Sequence, residues 1–512
     1  MSNQLYLSKS KYCALWQCPK IAWLRKYMPD EAVVDEDVLS RMAEGNEVGD
    51  LAMGLFGDYV EIKPGDPEHP DIAKMLDDTK AEMTKGTPVI CEASFSHNGL
   101  YCAVDILRKT AGGWAIYEVK SSTKHVKDDG TYGDDKDIYV ADIAYQKYVL
   151  DRCGVNVTGT FLVCLNGDYV FDGRLDLSKL FLISDVSGEV AKAEPEIEPL
   201  LAEAEKILAS PTEPAIDFHE KCKKPYLCAF WQHCSKHLPA QSVFDVFGMH
   251  FKKKIELYKK GLVTFEDLLA KGKLKSEKQR RQLEFAVANR EEPYVDREKI
   301  EAFLKTLSYP LYFLDFETFQ PVVPVYPGTR PYTQIPFQYS LHYIENEGGP
   351  LKHKEFLGVP GTDPRRAIAE QLCADIPMDA CVTAYNKSFE CTVIKRLADA
   401  FPDLSAHLLN IREHIIDLLV PFRSGFYYNK AMGNSFSIKS VLPALFPDEP
   451  SLDYHNLDQI HNGGEAMSIF PKLATMTPEE RDATRRNLLK YGELDTYAMV
   501  KVWEKLKETV EC

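Results

Sequence analysis

The sequence lacks several features that would place it in whole classes of protein. No apolar stretch is long enough to cross a bilayer, and the N-terminal segment MSNQLYLSKSKYC has no signal-peptide core, so we expect a cytoplasmic protein without a membrane partner. Basic residues are in the minority, with 61 Lys and Arg against 77 Asp and Glu and a net charge of −16. A simple nucleic-acid coat protein is more often basic, whereas a nuclease needs carboxylates to hold its cations.

The chain is long enough for several buried cores. Its 512 residues predict about three domains, at roughly 150 residues each. Residues 1–237 mix helical and strand patterns, residues 238–308 are helical and locally basic, and residues 309–512 alternate strands with helices. We therefore expect an α/β multidomain protein.

The third region carries two carboxylates on a predicted strand. In PLYFLDFET, Asp315 and Glu317 are separated by one residue, so on a strand both side chains point to the same face. Further candidates follow: Glu390 comes just after a predicted strand, in AYNKSFE, and Tyr491 and Asp495 lie four residues apart on one face of the last predicted helix. Two divalent cations about 4 Å apart, held by such acids, activate a water and stabilise the leaving oxygen in phosphodiester cleavage.

The order of these motifs resembles the RNase D/DnaQ-like exonucleases of the DEDDy type, which have an RNase H-like fold. The resemblance covers residues 309–512 and implies 3′→5′ cleavage, two Mg²⁺ or Mn²⁺ ions, and a water oriented by Tyr491. It implies four metal ligands, which are Asp315, Glu317, Glu390 and Asp495. The chain departs from the family at Glu390, where aspartate is usual and where glutamate is one methylene longer. Asp417, in HIIDLLV, is expected to play a supporting or structural part.

The first region contains a second set of charged residues on neighbouring strands. GLYCAVDILRK and WAIYEVKSS are separated by Gly112 and Gly113, which predicts a hairpin. Asp105 lies on its first strand, and Glu118 and Lys120 share one face of its second strand. The two carboxylates suit a divalent cation, the lysine can stabilise charge on a phosphate, and Gln146 in the next helix can orient that lysine or contact substrate. An exposed hairpin with cross-strand charge pairs is the alternative interpretation.

Three cysteines follow one another closely at the end of the first region. Cys222, Cys228 and Cys234 have five residues between neighbours, and a fourth ligand could come from Cys18, in WQCPK, or from its rival Cys13. Thiolates in such numbers suit an iron–sulfur cluster or a structural zinc ion. Zinc sites more often use closer pairs, although nearby histidines keep zinc as the alternative: His219, His233 and His237.

Residues 1–237 together resemble the RecB-like PD-(D/E)XK nucleases with a cysteine clamp, a family that includes CRISPR-associated exonucleases. The resemblance implies a [4Fe–4S] cluster and one or two metal ions at a triad completed by a downstream glutamine: Asp105, Glu118, Lys120 and Gln146. The iron ligands it implies are Cys18, Cys222, Cys228 and Cys234. The chain departs from the family in its cysteine spacing and at EGNEVGDLA, where a histidine is common and Glu44 or Glu47 is the nearest substitute.

The middle region is the most basic part of the chain. Residues 252–281 contain eleven Lys or Arg and four Asp or Glu. A solvated helical linker is the favoured interpretation, and a phosphate-contacting helix-hairpin-helix element is the alternative.

The order of the two outer regions resembles a bacterial family that fuses a RecB-like nuclease to an RNase H-like domain. We expect a bifunctional nuclease acting on DNA rather than RNA. The rivals are an RNA 3′-exonuclease with a non-catalytic N-terminal half and a non-catalytic nucleic-acid-binding scaffold.

Overall fold

The computed structural model describes residues 6–33, 36–66, 69–125, 137–224 and 226–511. These residues form an α/β protein that divides into two compact units. Unit 1 contains residues 1–237 and 322–332, and unit 2 contains residues 238–321 and 333–512. Within the described ranges, no helix combines the length and the apolar character that a membrane span requires. The acidic stretch at residues 128–137 lies outside the described residues except for its last member.

Unit 1 is built on a sheet of seven strands. Six of them lie in the order β2-β3-β4-β5-β6-β7, and β1 pairs with β4. The predicted hairpin is confirmed, because β4 and β5 pair in antiparallel fashion, and β5 then pairs with β6 in parallel. The strands are β1 (Leu7–Ser8), β2 (Val60–Glu61), β3 (Val89–His97), β4 (Leu100–Lys109), β5 (Trp114–Lys124), β6 (Val157–Asn166) and β7 (Phe181–Asp185).

Helices pack against the sheet of unit 1 in two separate hydrophobic cores. One core packs Tyr12 and Leu15 of α1 and Tyr145 of α5 against the strands, and the other includes Val48 of α3. The α-helices are α1 (Lys9–Gln17), α2 (Lys20–Tyr27), α3 (Glu36–Ala52), α4 (Ile72–Lys85), α5 (Asp137–Arg152), α6 (Leu177–Leu180), α7 (Ser187–Ala193), α8 (Ile197–Ala209) and α9 (Trp231–Ser235). The helix predicted from ADIAYQKYVLDRC is confirmed as the greater part of α5.

A late segment of the chain, residues 322–332, completes unit 1. Val322 is buried in the second of these cores, and the backbone of Phe171 exchanges hydrogen bonds with Thr329 and Gly328. The hydroxyl of Tyr332 donates to the carbonyl of Ser121 at 3.0 Å. Unit 1 is therefore made from two stretches of sequence that are far apart in the chain.

Unit 2 contains a five-stranded sheet in the order β11-β10-β9-β12-β13 and a two-stranded sheet of β8 and β14. Strand β10 is antiparallel to β9 and to β11, whereas β12 runs parallel to β9 and to β13. The strands are β8 (Tyr294–Val295), β9 (Leu311–Phe319), β10 (Ile335–Ile344), β11 (Lys352–Leu357), β12 (Cys381–Ala384), β13 (Ile415–Asp417) and β14 (Tyr427–Tyr428).

The helices of unit 2 include the predicted long final helix. The set is α10 (Phe251–Tyr258), α11 (Phe265–Lys271), α12 (Glu277–Val287), α13 (Arg297–Leu304), α14 (Arg365–Asp375), α15 (Ser388–Ala400), α16 (Ser405–Glu413), α17 (Val420–Arg423), α18 (Ile438–Leu445), α19 (Gly463–Ile469) and α20 (Pro478–Glu511). Helices α10 to α12 surround a small apolar core that contains Val243, Leu257 and Leu283. The segment predicted as a helical linker is thus helical, and it belongs to unit 2.

Candidate active sites

Strand β9 presents the first two carboxylates of unit 2. It lies in the middle of the five-stranded sheet, and Asp315 and Glu317 are its only two residues that are not fully buried. On β10, Ser340 lies opposite Asp315 and Gln338 lies opposite Glu317. Because side chains alternate along a strand, the apolar residues next to the two acids point into the core. Both acid side chains point to the opposite face of the sheet.

Helix α20 brings a third carboxylate to this pair. Among the described residues, Asp315, Glu317 and Asp495 form the one group whose ligand oxygens all lie within 4.8 Å of one another. Tyr491 is on the same buried face of α20, one turn before Asp495. The helix comes close to the sheet at Gly492, where a Cβ would lie 2.5 Å from the amide nitrogen of Gln338. Tyr491 and Asp495, which were predicted to share one face of the last helix, therefore both lie beside the two acids of β9.

These carboxyls perturb one another strongly. Burial, followed by the charges of Asp495 and Glu317, raises the pKa of Asp315 well above its usual value. Burial and Asp495 raise the pKa of Glu317 to about 8, and burial raises the pKa of Asp495. Like charges confined in a dry site disfavour ionisation unless a cation is present. Three such oxygen donors match the ligand preference of Mg²⁺ and Mn²⁺.

Glu390 lies near these acids but outside the group of three. It sits in the first turn of α15, buried, and one of its carboxylate oxygens has no hydrogen-bond partner among the described residues. Its charge contributes to the raised pKa values of Asp315 and Glu317, and burial raises its own pKa to about 8. An orphaned buried carboxylate oxygen suits a second cation, which Glu390 would help to hold.

Asp417 has a structural position. Its carboxylate accepts the backbone N–H groups of Asn386 and Leu419 at 2.9 and 3.0 Å, and Arg423 donates to it at 3.0 Å. Asn386 has φ +69°, and the hydrogen bond to Asp417 holds this left-handed turn between β12 and α15. Asp417 thus fixes the turn that precedes Glu390.

Two residues that sequence reasoning missed complete the site of unit 2. The hydroxyl of Tyr454 donates to Asp495 at 2.6 Å. The ammonium of Lys439, in α18, lies 3.4 Å from the Tyr491 hydroxyl. Its positive charge partly opposes the rise in the pKa values of Glu317 and Asp495. Both residues come from the segment between the predicted motifs, and neither has a local sequence signal.

The predicted charged residues of unit 1 also meet. Asp105 of β4 accepts the backbone N–H of Val119 at 2.7 Å, next to Glu118 on β5. The Lys120 ammonium donates to Glu118 at 2.5 Å, and the Gln146 amide of α5 donates to Glu118 at 2.7 Å. Although burial opposes it, Lys120 and then Lys9 hold the pKa of Glu118 well below its usual range.

Three further charged residues of unit 1 were not expected. Asp142, one turn before Gln146, accepts hydrogen bonds from Lys120 at 2.8 Å and from Gln146 at 3.1 Å. The Lys9 ammonium lies 3.0 Å from Asp105 and 3.1 Å from both carboxylate oxygens of Glu118.

The third of them, Glu92, sits at an irregular position of β3 with φ +56°. Burial and then Asp105 raise its pKa to about 7. Its sequence signal is an acid within the apolar run VICEASF, and the signal of Asp142 is its position four residues before Gln146. Glu44, one of the two residues of the early helix named as substitutes for the family's histidine, accepts a hydrogen bond from Tyr332 at 3.4 Å.

The four predicted cysteine ligands line one cavity of about 190 Å³ in unit 1. Cys18 follows the end of α1, and burial raises its pKa to about 12, with the other three thiols adding to the shift. Those three thiols are Cys222, Cys228 and Cys234. Cys13 does not line the cavity and lies instead near Asp142 and Lys120.

The spacing of these sulfur atoms bears on the kind of metal. Four thiolates at about 2.3 Å from a zinc ion lie about 3.8 Å from one another. Of the cysteines in the described ranges, no three have sulfur atoms within 4.8 Å of one another. His233, a potential zinc ligand, is held between Glu213 and Glu31 at 3.1 and 3.3 Å. These thiols are therefore spaced more widely than the ligands of a single zinc ion would be.

The basic helices of unit 2 contain a tight turn with exposed lysines. Helix α10 ends before Lys259 and Lys260, both exposed, and Gly261 adopts φ +73°. Thr264 then caps α11, and its hydroxyl accepts the backbone N–H of Asp267. The structure thus places two exposed lysines at the turn between α10 and α11.

Comparison with known proteins bears on part of unit 2 and on the segment of unit 1 at residues 322–332. A family model described as Domain of unknown function (DUF2779) matches residues 312–437. The match includes Asp315, Glu317 and Glu390 and ends before Tyr491 and Asp495. No curated protein matches the chain. The similarity is therefore to a domain family without an assigned activity, across the part of unit 2 that carries the strand acids.

Proposed function

We propose that the protein is a metal-dependent nuclease, and that unit 2 is a 3′→5′ exonuclease of the DEDDy type with an RNase H-like fold. The observation that carries the proposal is the group of Asp315, Glu317 and Asp495, in which one carboxylate oxygen of each residue lies within 4.8 Å of the others. Their raised pKa values mark a site that needs a cation to become fully ionised. The order β11-β10-β9-β12-β13 supports an RNase H-like arrangement, with the acids on its central strand.

Each residue of the site has a distinct part in this proposal. Mg²⁺ or Mn²⁺ ions supply activation of water and stabilisation of the leaving oxygen when bound. Asp315, Glu317 and Asp495 would hold them, together with Glu390. The Tyr491 hydroxyl orients the attacking water, since burial keeps its pKa raised and the phenol neutral. Lys439, next to that hydroxyl, offers positive charge to the scissile phosphate.

Unit 1 is proposed as a second nuclease site with a PD-(D/E)XK fold. Asp105 and Glu118 hold one or two metal ions, and Lys120 stabilises negative charge on the phosphate. Gln146 and Asp142 orient Lys120 and Glu118 through the hydrogen bonds described above. The cysteine-lined cavity holds a [4Fe–4S] cluster with a structural role, which joins the end of α1 to the end of the unit.

A nuclease assay on the full chain tests these proposals. The protein is purified without oxygen and given Mn²⁺ with end-labelled single- and double-stranded DNA and RNA. The variants are Asp315→Asn for unit 2 and Lys120→Met for unit 1, each with a matched control. Glu493→Gln removes an exposed carboxylate from α20, and Lys109→Met removes an exposed ammonium from β4.

The products separate the alternatives. We expect single-nucleotide steps from the 3′ end of DNA, lost in Asp315→Asn and kept in Glu493→Gln. An activity lost only in Lys120→Met assigns the second site. Degradation of RNA alone, insensitive to Lys120→Met, favours the RNA exonuclease with a non-catalytic first half. Binding without cleavage of any substrate by the wild type contradicts the nuclease proposal.

A further inference from the structure

Lys9 occupies the space between the two carboxylates that unit 1 would use to bind metal. Its ammonium is 3.0 Å from one oxygen of Asp105 and 3.1 Å from each oxygen of Glu118. These three contacts come from the first residue of α1, about a hundred residues away in sequence from either acid. The contact is therefore made by the tertiary fold rather than by a local turn.

The fold holds Lys9 at this place from two directions. Strand β1 pairs with β4, and its Ser8, which lies opposite Tyr101, caps α1 by accepting the backbone N–H of Lys11. The hydroxyl of Tyr145 donates to the carbonyl of Leu7 at 2.6 Å. Helix α1 is thus anchored to the strand that carries Asp105, with its first side chain directed at the two acids.

Every carboxylate oxygen of the pair already accepts a hydrogen bond. One oxygen of Asp105 accepts the Val119 N–H and the other accepts Lys9. Glu118 accepts Lys9 and Lys120 at one oxygen, and Lys9 and Gln146 at the other. A divalent cation bound by both acids needs oxygens that Lys9 now holds, and two cations at the same oxygens repel each other strongly.

Lys9 is the donor whose departure frees oxygens of both acids. Its contacts are 3.0 to 3.1 Å long, whereas Lys120 lies 2.5 Å from Glu118 and 2.8 Å from Asp142 and does not contact Asp105. Gln146 is fully buried, whereas the Lys9 side chain is 23% exposed and has a flexible stem that can carry the ammonium to solvent. A metal ion would therefore enter by displacing Lys9.

We propose that Lys9 is an internal cation that holds Asp105 and Glu118 together without metal and is displaced when a divalent metal ion binds. The inference rests on the proposed function of unit 1. Lys9 is a positioning residue in this role: it keeps both acids converged and sets the metal concentration that unit 1 requires.

Calorimetric titration of the full chain with Mn²⁺ at pH 8 tests the proposal. The titrations use an Asp315→Asn, Asp495→Asn background, which removes two ligands from unit 2. Lys9→Met is compared with Lys11→Met, which removes the same charge from an exposed position of the same helix. We expect Lys9→Met to bind Mn²⁺ about tenfold more tightly than Lys11→Met, because no ammonium has to be displaced. Equal or weaker binding overturns the proposal.

A second measurement uses the chain with Lys9 unchanged, so it does not depend on the folding of the variant. An amine-directed reagent labels exposed lysines, and mass spectrometry reports the labelled fraction of Lys9 relative to Lys11 with and without Mn²⁺. The labelling of Lys9 should rise several-fold with Mn²⁺, and unchanged labelling while Mn²⁺ binds overturns the proposal. If no Mn²⁺ binding sensitive to Asp105→Asn is found even in Lys9→Met, the metal site of unit 1 is itself wrong.

Discussion

The site of unit 2 should bind metal with a steep dependence on pH. Burial and like charge raise the pKa values of Glu317 and Glu390 to about 8, so both carboxyls are largely protonated at pH 6 to 7. A cation binds the ionised form, and each proton that it releases makes the affinity rise about tenfold per pH unit. With one or two protons released, the affinity should rise about ten- to a hundredfold per unit between pH 6 and 8 and level off above pH 8.

The stability of the metal-free protein should change in the opposite sense. A glutamate with a pKa near 4.3 in the unfolded chain and about 8 in the folded chain binds its proton more tightly when folded. Its contribution to stability is complete below about pH 4.3 and is lost as pH rises towards 8. In chelator, the unfolding temperature should therefore fall from pH 6 to pH 8, and Mn²⁺ should restore it most at the higher pH.

Calorimetry in two buffers with different ionisation enthalpies measures the released protons directly. The titrations use an Asp105→Asn background, which removes a carboxylate from unit 1. Glu390→Gln should lower the number of protons released near pH 7 by about one, whereas Glu493→Gln, exposed on α20, should leave it unchanged. An Mn²⁺ affinity that is flat from pH 6 to 8 would refute the reasoning, because it would mean that the acids are already ionised without metal.

Three other changes have defined outcomes. Gly492→Ala brings a Cβ to 2.5 Å from the Gln338 amide nitrogen and should lower the free energy of unfolding by about 1–3 kcal/mol, as chemical denaturation would report; an unchanged midpoint would show that α20 can shift freely. Tyr454→Phe removes the 2.6 Å hydrogen bond to Asp495 and should weaken Mn²⁺ binding at pH 7 about tenfold, with retention of full affinity as the contrary result. Cys18→Ser should lower the iron content of protein purified without oxygen, whereas Cys153→Ser, at an exposed thiol, should not; zinc without iron in the wild type would contradict the cluster.

Much of the secondary structure around the sites could be predicted from periodicity. The predicted strand that carries Asp315 and Glu317 is β9, and the predicted strand before Glu390 is β12. Strand β11 has no such signal, since its sequence KHKEFL is polar and its residues are exposed or half-buried. Patterns of period two and 3.6 report burial, and an edge strand with little burial leaves a weak pattern.

The site residues that could be predicted are those that lie close together in sequence on one strand or one helix. Asp315 and Glu317 share a strand face, and Tyr491 and Asp495 share a helix face, so sequence distance alone relates the members of each pair. Lys9 and Tyr454, by contrast, reach their acids from elements that are distant in sequence. Their partners depend on how β1 and the segment before α19 pack, and no single-sequence pattern carries that information.

The segment at residues 322–332 affects the order in which the protein can be completed during synthesis. Unit 1 contains Val322 in one of its cores and Tyr332 against Ser121, so its last pieces leave the ribosome after strand β9 has been made. Residues 1–237 expressed alone would expose the apolar surface that Val322 covers, and loss of activity in such a fragment would reflect an incomplete core. The two proposed activities should accordingly be tested by point substitutions in the whole chain, because a cut at the unit boundary removes part of the unit that it is meant to isolate.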